Sequence, residues 1–384
     1  MSPMHDFTFY NPTRMVLGRG TIAMLSSLVP REARVLLTSG GGSFKKNGVR
    51  DQVLRALAGR SVIEFQGIEP NPEYATLMRA VQVVKGEKVD FLLAVGGGSV
   101  LDGTKFIGAA ARYPEGRDPW NFLLDHGESV RDAVPVGCVM TLPATGSEGN
   151  PTAVISRRER GEKYYFGAPC CFPVFAVLDP TTTYSLPRRQ VVNGIVDAYV
   201  HVLEQYATTL APAPLQDRQA EAILATLLEN ADKILADPPD YEARATFVWS
   251  ATQALNSLIG CGVDQDWATH MIGHELTALY GLDHAVTLAV ILPGAMRERV
   301  EAKRDKLTQY GRRIFGVDTA EKAIERTEAF FRDLGMKTRL SEHGIDARSA
   351  AAEIERRFAS RGFTCGERQE VDGASAARIV LSRA

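Results

Sequence analysis

Four histidines and an aspartate between residues 197 and 284 have the spacing of metal ligands. Asp197 and His201 lie four residues apart in a stretch with helical periodicity, and His270 and His274 repeat this spacing. Side chains four residues apart on a helix project from one face, about one turn apart. His284 follows after a glycine-containing turn. One carboxylate and three imidazoles form a borderline-hard donor set that takes Zn²⁺ or Fe²⁺ and can leave a coordination position open for a substrate.

The alternative interpretation is that these histidines are buried or cap helices, which for any single histidine is the more common case. His5, His126 and His343 are interpreted in this way. For the group from Asp197 to His284, two helical spacings and a histidine in a turn make coincidence less expected. Spacing alone leaves open which three or four of these side chains bind a metal. His274 is either a ligand or a neighbour that handles a proton.

Two glycine clusters directly follow predicted strands. Gly40-Gly41-Gly42-Ser43 comes after VLLTS, and Gly96-Gly97-Gly98-Ser99 comes after FLLAV. Glycine allows a backbone to approach a ligand closely, and the helix that follows directs N–H groups and a partial positive charge at a phosphate. In an open α/β sheet a ligand binds at the carboxyl ends of the strands. A tight turn that needs positive φ would explain one cluster alone, but two clusters together favour a dinucleotide site.

The chain changes character near residue 185. Before it, short β-rich apolar runs alternate with amphipathic stretches, which predicts a parallel sheet covered on both faces. After it, strand-like runs stop and long segments have helical periodicity. The predicted strands are Ala33–Thr38, Ser61–Phe65, Asp90–Val95, Val134–Leu142 and Val174–Leu178, and the predicted helical segments are Pro187–Thr208, Leu215–Leu235, Tyr241–Ile259 and Ala302–Phe315. We therefore expect two domains, residues 1–184 with a dinucleotide-binding α/β fold and residues 185–384 with an all-helical fold.

Composition and charge exclude several classes of protein. With 384 residues, of which 45% are hydrophobic and 23% charged, the chain has the composition of a soluble globular protein. Its formal net charge of −2 provides no basic field for nucleic acid. No apolar run reaches the length of a membrane span. Five cysteines, an odd number, favour a reducing, cytoplasmic environment over a disulfide-bonded one.

Several segments together resemble the iron-containing, or group III, alcohol dehydrogenase family, and within it the butanol dehydrogenase and broad-range aldehyde reductase branch. The resemblance covers nearly the whole chain. Its most specific segments are NGIVDAYVHVLEQY and QDWATHMIGHELTALYGLDHAVTLAVILP, and the turn VGGGSVLDGTKF and the loop TLPATGSE also match. The resemblance implies a Rossmann-like N-terminal domain, an all-α C-terminal domain and an active site in the cleft between them, a plan that dehydroquinate synthase also uses.

Carried over position by position, the resemblance implies one divalent metal ion, Zn²⁺ or Fe²⁺, held by Asp197, His201, His270 and His284. It leaves His274 near the substrate and the nicotinamide, and either His274 or the nicotinamide ribose would relay the proton of the reaction. It places Gly97, Gly98 and Ser99 at the pyrophosphate, and Asn71, Asp102, Thr141, Thr145 and Lys163 at further cofactor positions. The threonine loop is shorter than the TTAGTGSE form common in the family, which affects the assignments of Thr141 and Thr145.

The loop after the strand Ala33–Thr38 indicates which nicotinamide is bound. Sites that select NAD usually place an acidic residue there, which binds the ribose 2′-hydroxyl and repels a 2′-phosphate. Here the positions are Ser39, Gly40, Gly41, Gly42 and Ser43, followed by Lys45 and Lys46. Small residues leave room for a phosphate and the lysines can neutralise it. We therefore expect NADP(H), as in the aldehyde reductase branch that this loop resembles.

These inferences predict a metal-dependent oxidoreductase that moves a hydride reversibly between NADP(H) and small aldehydes or primary alcohols, mainly as an aldehyde reductase. The alternatives are an NAD-linked diol or glycerol dehydrogenase of the same fold and a non-catalytic NADP(H) sensor. The ligand-bearing segments contain no lysine or arginine, which argues against a phosphorylated substrate. The resemblance also implies a homodimer, and an edge strand near Phe7–Tyr10 or Arg14–Gly18 is the candidate pairing element.

Overall fold

The computed structural model describes residues 4–209 and 213–384, with the exception of the Ser43 side chain. Residues 1–3 and 210–212 of the predicted domains lie outside the described residues. The chain forms two compact units. The sheet unit consists of residues 10–191 and 236–256, and the helical unit consists of residues 192–235 and 257–384 together with the residues up to Phe9. The predicted domain boundary between residues 184 and 185 stays a prediction.

The strands of the sheet unit form one large sheet and one small sheet. They are β1 (Arg14–Leu17), β2 (Arg34–Ser39), β3 (Ser61–Gln66), β4 (Phe91–Gly97), β5 (Val136–Leu142), β6 (Thr152–Arg157), β7 (Glu162–Gly167) and β8 (Phe175–Leu178). The large sheet has the order β1-β8-β5-β4-β2-β3, and every neighbouring pair in it is parallel. The five strands expected from the sequence all form, and their ends differ from the predicted ends by at most two residues.

Continuous apolar runs explain why β2 and β4 form the interior of this sheet. Val35 and Leu37 of β2 pack into one hydrophobic cluster, and Leu36 packs into another. Leu93 and Leu92 of β4 divide between the same two clusters. A strand of a parallel sheet is buried on both faces, so it has no polar side to alternate with. The carboxyl ends of these adjacent strands, where the two glycine clusters begin, lie side by side.

A second, two-stranded sheet is an element that the sequence did not indicate. β6 and β7 pair antiparallel, with Ala153 opposite Phe166 and Ile155 opposite Tyr164. Ala153, Ile155 and Phe166 are fully buried, so one face of the hairpin contributes to the core. The alternating pattern is short and is interrupted by the charged turn RERG, in which Gly161 has φ +61°. Glycine tolerates this left-handed conformation, which lets the chain reverse direction.

The helices account for most of the remaining chain. They are α1 (Leu25–Leu28), α2 (Ser43–Lys46), α3 (Val49–Ala56), α4 (Tyr74–Gly86), α5 (Gly98–Arg112), α6 (Asn121–Leu124), α7 (Arg188–Tyr206), α8 (Pro214–Ile234), α9 (Tyr241–Ala254), α10 (Ala268–Tyr280), α11 (His284–Glu298), α12 (Val300–Tyr310), α13 (Ala320–Asp333), α14 (Ala347–Arg361) and α15 (Gly373–Leu381). The last strand of the described residues ends at Leu178, so the chain after it is helical as expected. α9 nevertheless belongs to the sheet unit.

Two predicted helices end earlier than expected. The helix predicted over Tyr241–Ile259 ends at Ala254, and Ser257 in the following turn has φ +74°, which an α-helix does not accommodate. The helix predicted over Ala302–Phe315 ends at Tyr310 and continues as a π-helical turn. Apolar periodicity continued past Ala254 because the turn that follows also buries an apolar side chain, Ile259.

Of the two candidate edge strands, only one is present in the described residues. Arg14–Leu17 forms β1 at one edge of the large sheet, where it pairs with β8. Residues 7–10, the other alternative, form no strand within the described residues, and pairing of either segment with a second subunit stays a prediction. Among residues 4–209 and 213–384, none of the helices combines the length and apolar character that crossing a membrane requires.

Candidate metal and cofactor sites

The predicted metal ligands come from three helices, α7, α10 and α11. Asp197 and His201 lie one turn apart on α7, and His270 lies near the start of α10. His284 is the first residue of α11. α10 ends at Tyr280, and the capping residue Gly281 has a φ of +69°, which allows the chain to turn sharply into α11. The short connection therefore returns His284 to the side of the unit on which His270 lies.

The Oδ1 atom of Asp197 is the common neighbour of three imidazoles. It lies 3.5 Å from Nε2 of His201, 3.7 Å from Nε2 of His284 and 3.9 Å from Nε2 of His270. These distances exceed those of ordinary N–H···O hydrogen bonds. Ligand atoms held by one tetrahedral metal ion lie about 3.3–3.6 Å apart, given bond lengths of about 2.0–2.2 Å. The distance to His201 lies in this range and the other two lie slightly above it, so the spacing is close to that of atoms that share an ion.

The burial and the hydrogen-bonding state of these side chains suit the binding of a metal cation. The ligand atoms of Asp197, His201 and His270 all lie within 4.8 Å of one another, and all three residues are buried. Nε2 of His270 has no hydrogen-bond partner among the described residues, which leaves it as a donor atom for a metal. Burial, with repulsion from His270 as a smaller cause, holds the pKa of His201 well below its usual value. His201 is thus neutral, the form in which imidazole binds metals.

His274 lies beside the cluster rather than in it. It is one turn after His270 on α10 and is 6% exposed. Its ring centroid is 5.5 Å from that of His284 and 6.4 Å from that of His270. Trp267 also packs against the cluster, with its ring centroid 5.2 Å from that of His270. The structure thus separates a compact group of candidate ligand atoms from His274, a fourth imidazole that lies beside them.

The first glycine cluster follows β2 in the sheet unit. Ser39, the last residue of β2, is fully buried, and its Oγ has no hydrogen-bond partner among the described residues. Gly40, Gly41 and Gly42 lead into α2, and Gly42 has φ +99°. The predicted contact through the Ser43 side chain lies outside the described residues. Lys45 and Lys46 are exposed on α2. A buried hydroxyl that lacks a partner at the carboxyl edge of a sheet is suited to binding a ligand.

The second glycine cluster ends β4 and begins α5. A Cβ atom on Gly98 would lie 2.4 Å from a side-chain atom of Thr145, so only glycine allows this loop to approach the helix start. The Oγ of Ser99 accepts a hydrogen bond from the backbone N–H of Asn71 at 3.2 Å. Lys163 in turn donates to Oδ1 of Asn71 at 2.9 Å. These five predicted cofactor residues therefore lie together around the N-terminus of a 15-residue helix, which favours an anion.

Asp102 and Thr141 have different surroundings from those five residues. Both carboxylate oxygens of Asp102 are occupied, because one accepts a hydrogen bond from Ser147 Oγ at 2.6 Å and the other accepts from the N–H of Val154 at 3.0 Å. Thr141 lies within β5 and is partly exposed. Asp102 thus holds the loop after Thr145 in place. Any effect of Asp102 on a cofactor would pass through this loop.

Lys105 is a buried residue that sequence reasoning missed. It is fully buried on α5 and donates to the backbone oxygens of Ser147, Asn150 and Thr152 at 2.7–2.8 Å. Burial lowers the pKa of the Lys105 ammonium and raises the pKa of the Asp102 carboxyl, and attraction between the two groups opposes both shifts. Lys105 follows Asp102 by three residues, so a search along that helix face would have found it.

Glu204 is the second residue that was missed. It lies on α7 three residues after His201, and its carboxylate is hydrogen-bonded to Nδ1 of His270. The side chain of Glu204 is 3% exposed. The helical spacing that identified Asp197 and His201 reaches this glutamate one turn later.

Comparisons with known proteins show the family of this chain. Residues 12–180 match the family model described as iron-containing alcohol dehydrogenase, and residues 191–367 match the model of the C-terminal part of the same family. The NADPH-dependent aldehyde reductase YqhD of Escherichia coli K12 is 54% identical over 375 residues, which cover 96% of this chain and 97% of that protein. The chain belongs to the iron-containing alcohol dehydrogenase family.

Solved structures of family members have the same fold. The crystal structure of E. coli YqhD superimposes with a TM-score of 0.98 at 51% identity, covering 100% of both chains. The NADH-dependent butanol dehydrogenase A of Thermotoga maritima gives a TM-score of 0.93 at 33% identity, again covering 100% of both chains. The predicted fold class, a Rossmann-like parallel sheet followed by helices, is confirmed. The residue-by-residue assignments of metal and cofactor contacts stay predictions.

Proposed function

We propose that this chain is a metal-dependent aldehyde reductase that transfers a hydride reversibly between NADP(H) and small aldehydes or primary alcohols. The observation that carries the proposal is the convergence of three imidazole Nε2 atoms on Asp197 Oδ1, at 3.5–3.9 Å. A site that polarises a carbonyl needs a cation held by the protein, and this group of donor atoms suits one. The name of the 54% identical relative supports the choice of substrate class and cofactor.

One divalent ion would be held by four side chains, those of Asp197, His201, His270 and His284. Their nitrogen and oxygen donors suit Zn²⁺ or Fe²⁺. When bound, such an ion acts as a Lewis acid on the oxygen of a carbonyl substrate. His274 would transfer the proton of the reaction. Its imidazole would donate a proton during aldehyde reduction and accept one during alcohol oxidation. Its position, with the ring 5.5 Å from that of His284, supports this role.

The cofactor preference rests on the loop after β2. The names of similar proteins do not decide it, because the E. coli relative is NADPH-dependent and the T. maritima relative NADH-dependent. Residues 38–46 contain no acidic side chain. The buried hydroxyl of Ser39 and the exposed lysines Lys45 and Lys46 offer a hydrogen bond and positive charge instead. These features favour a ribose 2′-phosphate, and therefore NADP(H).

Three further assignments complete the proposal. Residues 1–184 bind the dinucleotide and residues 185–384 carry the metal and substrate groups. The enzyme is cytoplasmic, as its odd number of cysteines favours. It forms a homodimer in which the edge strand β1, with exposed Leu17 and neighbouring exposed Tyr10, provides the pairing surface. Sedimentation equilibrium would test the dimer directly.

The decisive experiment follows NADPH oxidation with butanal before and after chelation, and then after Zn²⁺, Fe²⁺ or Mn²⁺ is added back separately. We expect activity to disappear with the chelator and to return with one of these metals. The same assay with NADH and with diols or glycerol tests the NAD-linked alternative. Binding of NADPH without oxidation under any metal would contradict the proposal and favour a sensor.

A further inference from the structure

The carboxylate of Glu204 collects three hydrogen-bond donors at the start of α10. Its Oε1 accepts from the backbone N–H of Thr269 at 2.7 Å. Its Oε2 accepts from the backbone N–H of His270 at 3.2 Å and also contacts Nδ1 of the same residue. The backbone oxygen of Glu204 accepts from the N–H of Asp266 at 2.8 Å. One residue of α7 therefore fixes both the first turn of α10 and the imidazole that this turn carries.

The contact with the ring has a chemical consequence. An ionised carboxylate only accepts hydrogen bonds, so Nδ1 of His270 must be the donor. A neutral imidazole with its proton on Nδ1 has a lone pair on Nε2. That Nε2 atom is buried, lacks a hydrogen-bond partner among the described residues and lies 3.9 Å from Asp197 Oδ1. Glu204 thus selects the tautomer that can bind a metal and directs its free nitrogen at the other ligand atoms.

We propose that Glu204 is a positioning residue of the metal site, which sets metal affinity by fixing the tautomer and the orientation of His270. The assignment rests on the proposed metal function. Carboxylates that orient metal-bound histidines typically change metal affinity about 10–100-fold when they are removed. Because Glu204 is anchored by two backbone N–H groups as well as by the ring, its oxygen cannot turn away from Nδ1 without losing them.

A purely structural role for Glu204 predicts something different. A negative charge near the first turn of a helix stabilises that helix whatever side chain it carries. Asp266 provides a matched comparison, because it is 8% exposed, accepts a hydrogen bond from the N–H of Ala268 at 2.9 Å and forms an ion pair with Lys303. It acts on the same helix start and has no hydrogen bond to an imidazole among the described residues. If capping were the whole role, neutralising either acid would have the same effect on the metal.

Glu204→Gln is the informative substitution because it keeps the size of the side chain. Its amide offers one acceptor oxygen to three donors and brings an NH₂ group against at least one of them. The ring of His270 can relieve this by moving its proton to Nε2, and the metal then loses a ligand. We expect the Kd for Zn²⁺ to rise about 10–100-fold in Glu204→Gln. Glu204→Asp, which keeps the charge and both acceptors at a shorter reach, should restore part of the affinity.

The test is competition for Zn²⁺ between the full-length protein and a chromophoric chelator, with thermal unfolding followed in parallel. Wild type, Glu204→Gln, Glu204→Asp and Asp266→Asn are compared, and His270→Ala reports on the metal site itself. A loss of affinity in Glu204→Gln that exceeds the loss in Asp266→Asn, at comparable unfolding temperatures, supports the inference. If Glu204→Gln does not fold, the comparison of Glu204→Asp with Asp266→Asn decides in the same way.

Two results would overturn different claims. Equal Zn²⁺ affinity in wild type and Glu204→Gln, or equal losses in Glu204→Gln and Asp266→Asn, would refute the positioning role while leaving the metal site intact. A wild-type protein that binds no stoichiometric metal, or a His270→Ala variant with undiminished affinity, would instead refute the proposed metal function. Chelator competition separates these cases without a measurement of turnover.

Discussion

Removing the two exposed lysines after the first glycine cluster should weaken NADPH binding and leave NADH binding unchanged. A ribose 2′-phosphate carries a charge of about −1.5 to −2. A pair of unit charges 4 Å apart in water is worth about 1 kcal/mol, and solvent screens exposed side chains such as Lys45 and Lys46. Two such lysines together contribute about 2 kcal/mol, which corresponds to a roughly 30-fold increase in Kd for NADPH in Lys45→Gln/Lys46→Gln.

Fluorescence titration of the metal-loaded enzyme without substrate measures both dissociation constants. The matched control is Lys85→Gln/Lys88→Gln, because Lys85 and Lys88 are exposed near the end of α4 and before the start of β4. That control changes the net charge by the same amount at the amino end of the sheet. Raising the ionic strength should shrink the difference between wild type and Lys45→Gln/Lys46→Gln, since the contact is exposed to solvent.

Three outcomes would show that the electrostatic reasoning is wrong. Equal weakening of NADPH and NADH would mean that the lysines support the loop rather than the 2′-phosphate. An equal effect of the control pair on NADPH would mean that the net charge of the protein acts at long range, without a local contact. Unchanged NADPH affinity in Lys45→Gln/Lys46→Gln would leave Ser39 and the glycine turn as the source of any preference.

Three other predictions test separate parts of the structure. His270→Ala should lose metal and activity together, whereas His274→Ala should keep stoichiometric metal and show a kcat about 10²–10⁴-fold lower. Metal analysis of both variants checks this, and loss of the ion in His274→Ala would contradict it. Gly98→Ala places a methyl 2.4 Å from the threonine loop and should weaken NADPH binding at least tenfold, while Gly86→Ala, with no atom within 4 Å, should not. Burial raises the pKa of Glu328, but the hydrogen bonds that arginines donate to its carboxylate outweigh this effect and lower the pKa to about 2. Glu328→Gln should therefore lower the free energy of unfolding in urea by about 3 kcal/mol at pH 7, and the difference from wild type should shrink as the pH falls from about 4.5 towards 2. A difference that does not change with pH would refute this prediction.

The parts of the fold that could be predicted are those in which burial leaves a pattern along the chain. β2 and β4 are apolar throughout because both of their faces are covered, and this pattern fixed their ends to within two residues. The hairpin of β6 and β7 was missed because only one of its faces is buried and its strands are short. The helix end at Ala254 was missed because the turn that follows has its positive φ at Ser257 rather than at a glycine, and no proline marks the helix end.

The candidate site divides in the same way. Donor atoms that bind a metal must come from a few residue types, so Asp197, His201, His270 and His284 could be selected by type and spacing. Glu204 and Lys105 gave no such signal, since glutamate and lysine are usually found on the surface. Their roles depend on burial and on hydrogen-bond partners far away in the sequence, which only a three-dimensional structure provides.

Both missed residues nevertheless follow one physical rule. Each lies three residues after a residue that was selected, Glu204 after His201 and Lys105 after Asp102, and each binds backbone groups of the segment that must stay in place. A helix that presents a ligand to a site turns its neighbouring side chains towards the same region, and a buried charge there requires several partners. The most available partners are backbone N–H and C=O groups at the start of the adjacent helix or loop. Extending each predicted helix face by one turn, and asking which charged residue it reaches, would therefore find positioning residues that a search for ligands overlooks.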